Sequence, residues 1–349
     1  MKGFRALSVA TAVATYALVV LGGVVRVSGS GLGCPDWPLC HGRVLPPLDL
    51  HAIIEYSHRT AASLTSTLVV LTAAVAWMAW RNRRDLVVPA TLAVSLLAVQ
   101  VVLGAITVRL ELPPMIVLAH LATAMALLGA VCVTAVASLM PMPAEPADAQ
   151  SARRARGAAG GTYLLILTGS LVVGSGASGA CDAWPLCGGG FRLAVEGSPA
   201  IQLLHRGVAA VIGLLVVMSL LSVLARHRRQ PAVRATVALT LAALAFQVAV
   251  GAAVVTLHLP AVLRGLHLAL ASAVWSGTVI LATAGWCRRP PGFQRTPGST
   301  SAPPAALVTP PAVRGSRCST RSGPCSAAAT WRWRCASTGP AAPTTVAAP

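Results

Sequence analysis

Residues 51–80 read HAIIEYSHRTAASLTSTLVVLTAAVAWMAW, and this stretch decides the fold. As a helix it is long enough to cross roughly 30 Å of hydrocarbon. It ends on a basic cluster, Arg81, Arg83 and Arg84. Within the apolar run stand Glu55, His58 and Arg59, ionisable groups that are costly in a membrane and therefore point to function. From His58 to His205 is 147 residues, and at that offset residues 198–227 read SPAIQLLHRGVAAVIGLLVVMSLLSVLARH. This is a second span with the same His-Arg pair, His205 and Arg206.

The same offset relates Cys34, Cys40, Gln100, Gly104 and His120 to Cys181, Cys187, Gln247, Gly251 and His267. It also relates Trp37-Pro38-Leu39-Cys40 to Trp184-Pro185-Leu186-Cys187. A duplication has kept two His and two Cys per half while the surrounding apolar sequence drifted. Reading outward from residues 51–80 gives eight spans, roughly 7–27, 52–80, 86–109, 115–140, 161–177, 200–225, 232–257 and 261–286. With 55% hydrophobic and 10% charged residues in 349, the class is an integral membrane protein. Four spans per half is an even number, so both halves enter the membrane in the same sense. The expected architecture is all-α, with eight transmembrane helices in two tandem parallel four-helix bundles. Residues 1–140 form the first, 141–160 a cytoplasmic linker and 161–286 the second. The tail, 287–349, is rich in Pro, Ser, Thr, Ala and Arg without acidic residues; it reads as disordered, or as an aberrant out-of-frame terminus.

Lys2 and Arg5, the Arg81–Arg84 cluster, Arg153, Arg154 and Arg156, Arg226, Arg228 and Arg229, and Arg288 and Arg289 all fall on one side of these spans. That side is expected to be cytoplasmic, with both termini inside and the Cys-containing loops outside. The first span lacks a small-residue cleavage site and is expected to be retained. The formal charge of +18 is dispersed in short juxtamembrane clusters, which suits anionic lipid and not nucleic acid.

Two His per half, on different helices and about 10 Å below the outer surface at 1.5 Å per residue, suit the gripping of a flat metal macrocycle from both faces. Iron porphyrin with paired axial His fits the ligand type and number. Zinc or copper would call for a third ligand at the same depth. On this reading His58 and His120 hold one heme and His205 and His267 another, with Arg59 and Arg206 placed to hold propionates. Glu55 precedes His58 by three residues on one helix face, and its counterpart in the second half is Gln202. A carboxylate beside one heme only can take a proton or stabilise charge; the alternative is an ion-pair partner for Arg59. Cys34 with Cys40, and Cys181 with Cys187, are expected as disulfides in an oxidising compartment, either structural clips or redox-active. Gln100, Gly104, Gln247 and Gly251 read as packing. His41, His227 and His258 read as solvated, and His51 stands at the mouth of the second span. An oxidoreductase acting on a bound heme is weighed against a cytochrome b-like di-heme electron carrier; the Glu55/Gln202 difference favours the enzyme.

The run Gly29-Ser30-Gly31-Leu32-Gly33-Cys34-Pro35-Asp36-Trp37-Pro38-Leu39-Cys40-His41-Gly42, the run Glu55-Tyr56-Ser57-His58-Arg59 and the run Gln100–Val108 resemble the bacterial heme A synthase family of cytochrome oxidase assembly. The resemblance covers about residues 7–286. It implies heme b bound by His205 and His267 in the C-terminal half. It implies that heme O is the substrate, held between His58 and His120 and oxidised from methyl through an alcohol to formyl, giving heme A. It implies a catalytic Glu55 and a part in turnover for Cys34 and Cys40. Expected partners are membrane lipid, the heme O synthase (a farnesyltransferase), an electron acceptor and further copies of the chain. The tail departs from the family pattern.

Overall fold

In the computed structural model the residues described are 1–140, 149–188 and 197–284. They form eight long α-helices: α1 (Lys2–Val27), α2 (Leu50–Trp80), α3 (Arg84–Arg109), α4 (Pro114–Leu139), α5 (Ala149–Gly174), α6 (Gly197–His227), α7 (Pro231–Thr256) and α8 (Ala261–Ala284). A 3₁₀ turn, Ala177–Gly179, follows α5. No β-strand occurs among the described residues. All eight helices are long and apolar enough to cross a membrane, and a helix is the form that satisfies every backbone group there. The tail and residues 141–148 of the expected linker lie outside the described residues, as do Cys287, Cys318, Cys325 and Cys335.

Local chemistry sets the helix starts. Asp49 caps α2, its carboxylate accepting from Ala52 N at 3.0 Å, and proline opens α4 and α7, where its missing N–H is no loss. Threonines inside the spans return their hydroxyls to the preceding turn, as Thr11 does to Leu7 O and Thr123 to Ala119 O, so the polar atom is satisfied without water.

One boundary differs from expectation. Helix α5 begins at Ala149, inside the stretch read as linker. Its Arg153, Arg154 and Arg156 suggested a loop, but Arg and Ala are strong helix formers. Ala152, Ala155 and Ala159 recur at helical spacing and are buried.

Helix α1 packs on α2 and α4, α2 on α3, and α3 on α4; α5 packs on α6 and α8, α6 on α7, and α7 on α8. The two sets meet where α4 and α1 contact α8, and α4 contacts α5. The main core lies at this seam, around Met125, Leu128, Trp275 and Val279. Trp275 Nε1 donates to Met125 O at 2.9 Å. Two tyrosines cross the seam reciprocally: Tyr16 donates to Ala269 O at 3.1 Å and Tyr163 to Ala122 O at 3.0 Å. Donors and acceptors alike are separated by the 147-residue offset.

Candidate functional site

His58 is eight residues into α2 and His120 six into α4; His205 and His267 have the same placement in α6 and α8. Glycine on the neighbouring helix lets each imidazole approach closely. A Cβ on Gly22 or Gly169 would stand 3.1 Å from Cε1 of His58 or His205. The corresponding distances are 3.4 Å for Gly104 to His120 and 2.9 Å for Gly251 to His267.

The glutamines read as packing residues are part of these sites. Gln100 Nε2 donates to His120 Nε2 at 3.2 Å, and Gln247 Nε2 to His267 Nε2 at 3.2 Å. His205 Nδ1 pairs with Thr168 Oγ1 at 2.9 Å; the first half has Leu21 at that position. Six buried side-chain nitrogen or oxygen atoms among the described residues lack a hydrogen-bond partner, and five belong here: Nδ1 of His58, His120 and His267, and Oε1 of Gln100 and Gln247. Buried polar atoms are normally matched, at a cost of about 1–3 kcal/mol when they are not. Two histidines per half at matching depth, each against a glycine and three of the four with an unpartnered Nδ1, suit axial ligation of a flat metal macrocycle. No group of three or more His, Cys, Asp or Glu among the described residues is placed to hold a bare metal ion.

Over the first pair lies the loop 28–49. Cys34 and Cys40 are joined in a disulfide and are fully buried. Glu55 is 3% exposed beneath it. Its Oε2 accepts from Cys34 N at 2.8 Å and its Oε1 from Arg59 Nη2 at 2.5 Å. Arg59 also donates to the carbonyls of Cys34, Asp36 and Leu39 at 2.8–2.9 Å, so it ties the loop to the carboxylate. Asp36 accepts from the backbone N–H of Gly42 and His41, and these bonds, led by that of Gly42, hold its carboxyl below the ordinary range.

The second loop, with its Cys181–Cys187 disulfide, repeats this in part, with Ala183 in the place of Asp36 and Gln202 in the place of Glu55. Arg206 donates to Ala183 O at 2.8 Å, Pro185 O at 2.9 Å and Gln202 Oε1 at 3.1 Å. Gln202 Nε2, however, turns to Ser178 O at 2.7 Å. Arg59 and Arg206, expected at propionates, thus direct their terminal nitrogens to loop carbonyls.

Of the unduplicated histidines, His51 Nδ1 pairs with Ser30 Oγ at 3.0 Å and His41 Nε2 with Gly33 O at 3.0 Å. Both line an open depression of about 680 Å³ at the loop end, with Arg43 and Asp49; it does not reach His58 or His120. Gly22, Gly169, Thr168, Tyr16, Tyr163 and Arg264 do not stand out in the sequence as site residues. The first two glycines and both tyrosines obey the 147-residue offset and were findable by it.

The family described as cytochrome oxidase assembly protein matches residues 5–52 and 49–279 of this chain. The heme A synthase of Symbiobacterium thermophilum is 31% identical over 288 residues, 79% of this chain and 93% of the relative. That of Geobacillus kaustophilus is 28% identical over 271 residues, 76% of this chain and 84% of the relative. That of Shouchella clausii is 30% identical over 226 residues, 62% and 75% of the two chains.

Proposed function

The chain belongs to the family of cytochrome oxidase assembly proteins, and from that premise we propose that it is a heme A synthase, a membrane oxidoreductase that converts a methyl group of heme O to a formyl group through an alcohol. The observation that carries the reading is an asymmetry. Two equivalent pairs of half-buried imidazoles are present, and a buried carboxylate, Glu55, stands beside one of them only.

In this reading the α1–α4 half, residues 1–140, takes heme O between His58 and His120. The α5–α8 half, which begins at Ala149, keeps heme b between His205 and His267. Bound heme b would supply one-electron redox chemistry. Thr168 orients His205 through Nδ1, and Gln247 and Gly251 position the ring of His267. Arg206 braces the second Cys loop. In the first half, Gln100 and Gly104 orient His120, and Gly22 seats His58.

Each stage of methyl oxidation releases protons, and Glu55 is the buried base placed to take them. Arg59 and the Cys34 N–H fix its two oxygens, so the group is held in position before substrate arrives. A pure electron carrier has no use for a carboxylate in one half alone. Basic clusters set the orientation, with termini cytoplasmic and Cys loops outside. The partners in turnover are a heme O synthase and an electron acceptor.

The test is pigment extraction from membranes of cells expressing the chain with a heme O synthase. Heme A is expected with the wild type and absent with Glu55→Gln, while heme b stays. Gln202, which accepts from Arg206 at the equivalent place, is an internal precedent that glutamine packs there. The stability cost of Glu55→Gln is therefore about 1 kcal/mol, the scale of one exchanged hydrogen bond. Undiminished heme A in that variant would refute the role of Glu55.

A further inference from the structure

The sixth buried atom without a partner is Nε of Arg264, and it lies outside the set of His and Gln just described. Arg264 is on α8, three residues before His267, so the two share a face of the helix one turn apart. The first half has Val117 at the equivalent position. The guanidinium makes one long contact, Nη2 to Val27 O at 3.4 Å, at the C-terminal end of α1. The two ion pairs among the described residues, Arg59–Glu55 and Arg83–Asp85, leave it without a carboxylate from the chain. Arg26 and Arg109, which also lack a counterpart in the other half, are exposed and need none.

The guanidinium belongs to a half-buried side chain, but its Nε is buried without a partner, and with five donors and one long bond it is under-satisfied, which is costly. Its planar fork matches a carboxylate in two parallel hydrogen bonds. The Nε is enclosed by protein atoms, which favours a ligand carboxylate held inside the bundle over a lipid phosphate at its surface. We propose that Arg264 binds a carboxylate of the tetrapyrrole ligated by His205 and His267, and is thereby a second-half binding residue with no counterpart in the first half. This rests on the heme b reading of that pair. A fixed cation beside one heme also stabilises its reduced form, so the second half becomes the better electron sink, complementing the extra carboxylate of the first.

The test uses the full-length chain made in heme-deficient cells, titrated in detergent with heme b or with heme b dimethyl ester, whose carboxylates are masked. The wild type is expected to prefer the free acid, and Arg264→Gln to lose about tenfold of that preference, with Arg264→Lys recovering only part of it, as a point charge without the bidentate fork. In the loaded protein, Arg264→Gln should lower the reduced-to-oxidised ratio of heme b about tenfold at fixed potential, 59 mV for one electron. A purely structural tether to Val27 would move neither quantity. Equal acid-to-ester discrimination in wild type and Arg264→Gln, with heme still dependent on His267, overturns this inference alone. Heme binding that survives His267→Ala overturns the reading beneath it. Discrimination in the wild type that disappears on adding anionic lipid assigns Arg264 to a lipid phosphate and also overturns the proposal.

Discussion

The backbone N–H of Cys34 donates to Glu55 Oε2 at 2.8 Å, so the disulfide-closed loop and the buried carboxylate form one unit. In the second half the carboxylate is replaced by Gln202, whose amide turns to Ser178 O. The first loop therefore positions a charged group, and the second does not.

Opening the two disulfides should separate these roles. Closing a ring between cysteines six positions apart is worth about 2 kcal/mol by chain entropy. Replacing Cys181 and Cys187 together with Ser should cost about that much stability and leave heme A formation per folded molecule within about twofold, on the scale where 1.4 kcal/mol is tenfold. The Cys34/Cys40 double replacement should cost similar stability but reduce conversion at least about tenfold, through the displaced Cys34 N–H. Thermal unfolding and heme A yield per heme b measure the two effects. Equal loss of conversion from both pairs would remove the positioning role.

The glycines beside the imidazoles give graded expectations. A Cβ on Gly251 would stand 2.9 Å from His267, whereas one on Gly104 would stand 3.4 Å from His120, ordinary contact. Gly251→Ala should push the ring aside and strip heme b from the purified protein. Gly104→Ala should be nearly silent in heme content. Pyridine hemochrome assays decide this, and the opposite ranking would mean that the rings move freely.

The spans were legible because hydropathy is strong over two dozen residues and duplication supplied each half twice. The start of α5 was not, because Arg153, Arg154 and Arg156 resemble a linker until Ala152, Ala155 and Ala159 are seen to pack. The four histidines stood out through a shared offset and a costly environment. Gln100 and Gln247 shared the offset too, but which neighbour an amide meets depends on helix rotation, which spacing alone does not settle. Thr168 has no repeat partner and is a common residue type, so only the packed structure brings it to a histidine, and only there does the Nε of Arg264 show itself without a partner.

Asp36 confers a pH dependence on the first loop. Its carboxyl is held below its ordinary 3.8, first by the Gly42 N–H and then by that of His41. A depressed folded value means that its contribution is present above the ordinary value and is lost as pH falls from there through the folded one. The turn at His41 and Gly42, both at positive φ, should loosen only below about pH 4. Asp36→Asn should abolish that acid step. Amide exchange of Gly42 against pH reads it directly, and a step that persists in the variant would assign it to another group.

The reciprocal tyrosines predict effects that cross between halves. Tyr16 on α1 donates to Ala269 O, two residues beyond His267, and Tyr163 on α5 donates to Ala122 O, two residues beyond His120. Each half's first helix thus holds the fourth, histidine-bearing helix of the other. Phenylalanine keeps the ring, including the contact of Tyr163 with Trp275 at 5.4 Å, and deletes only the hydroxyl. Each change should cost about 0.6 kcal/mol, the usual worth of an interhelical hydrogen bond in a membrane. The site disturbed, however, should be the distant one. Tyr16→Phe should shift the absorption and EPR signature of the heme bound by His205 and His267 and spare heme A output. Tyr163→Phe should lower heme A output and spare that signature. If each variant instead perturbs the pair in its own half, the seam is passive packing and the two sites communicate by another route.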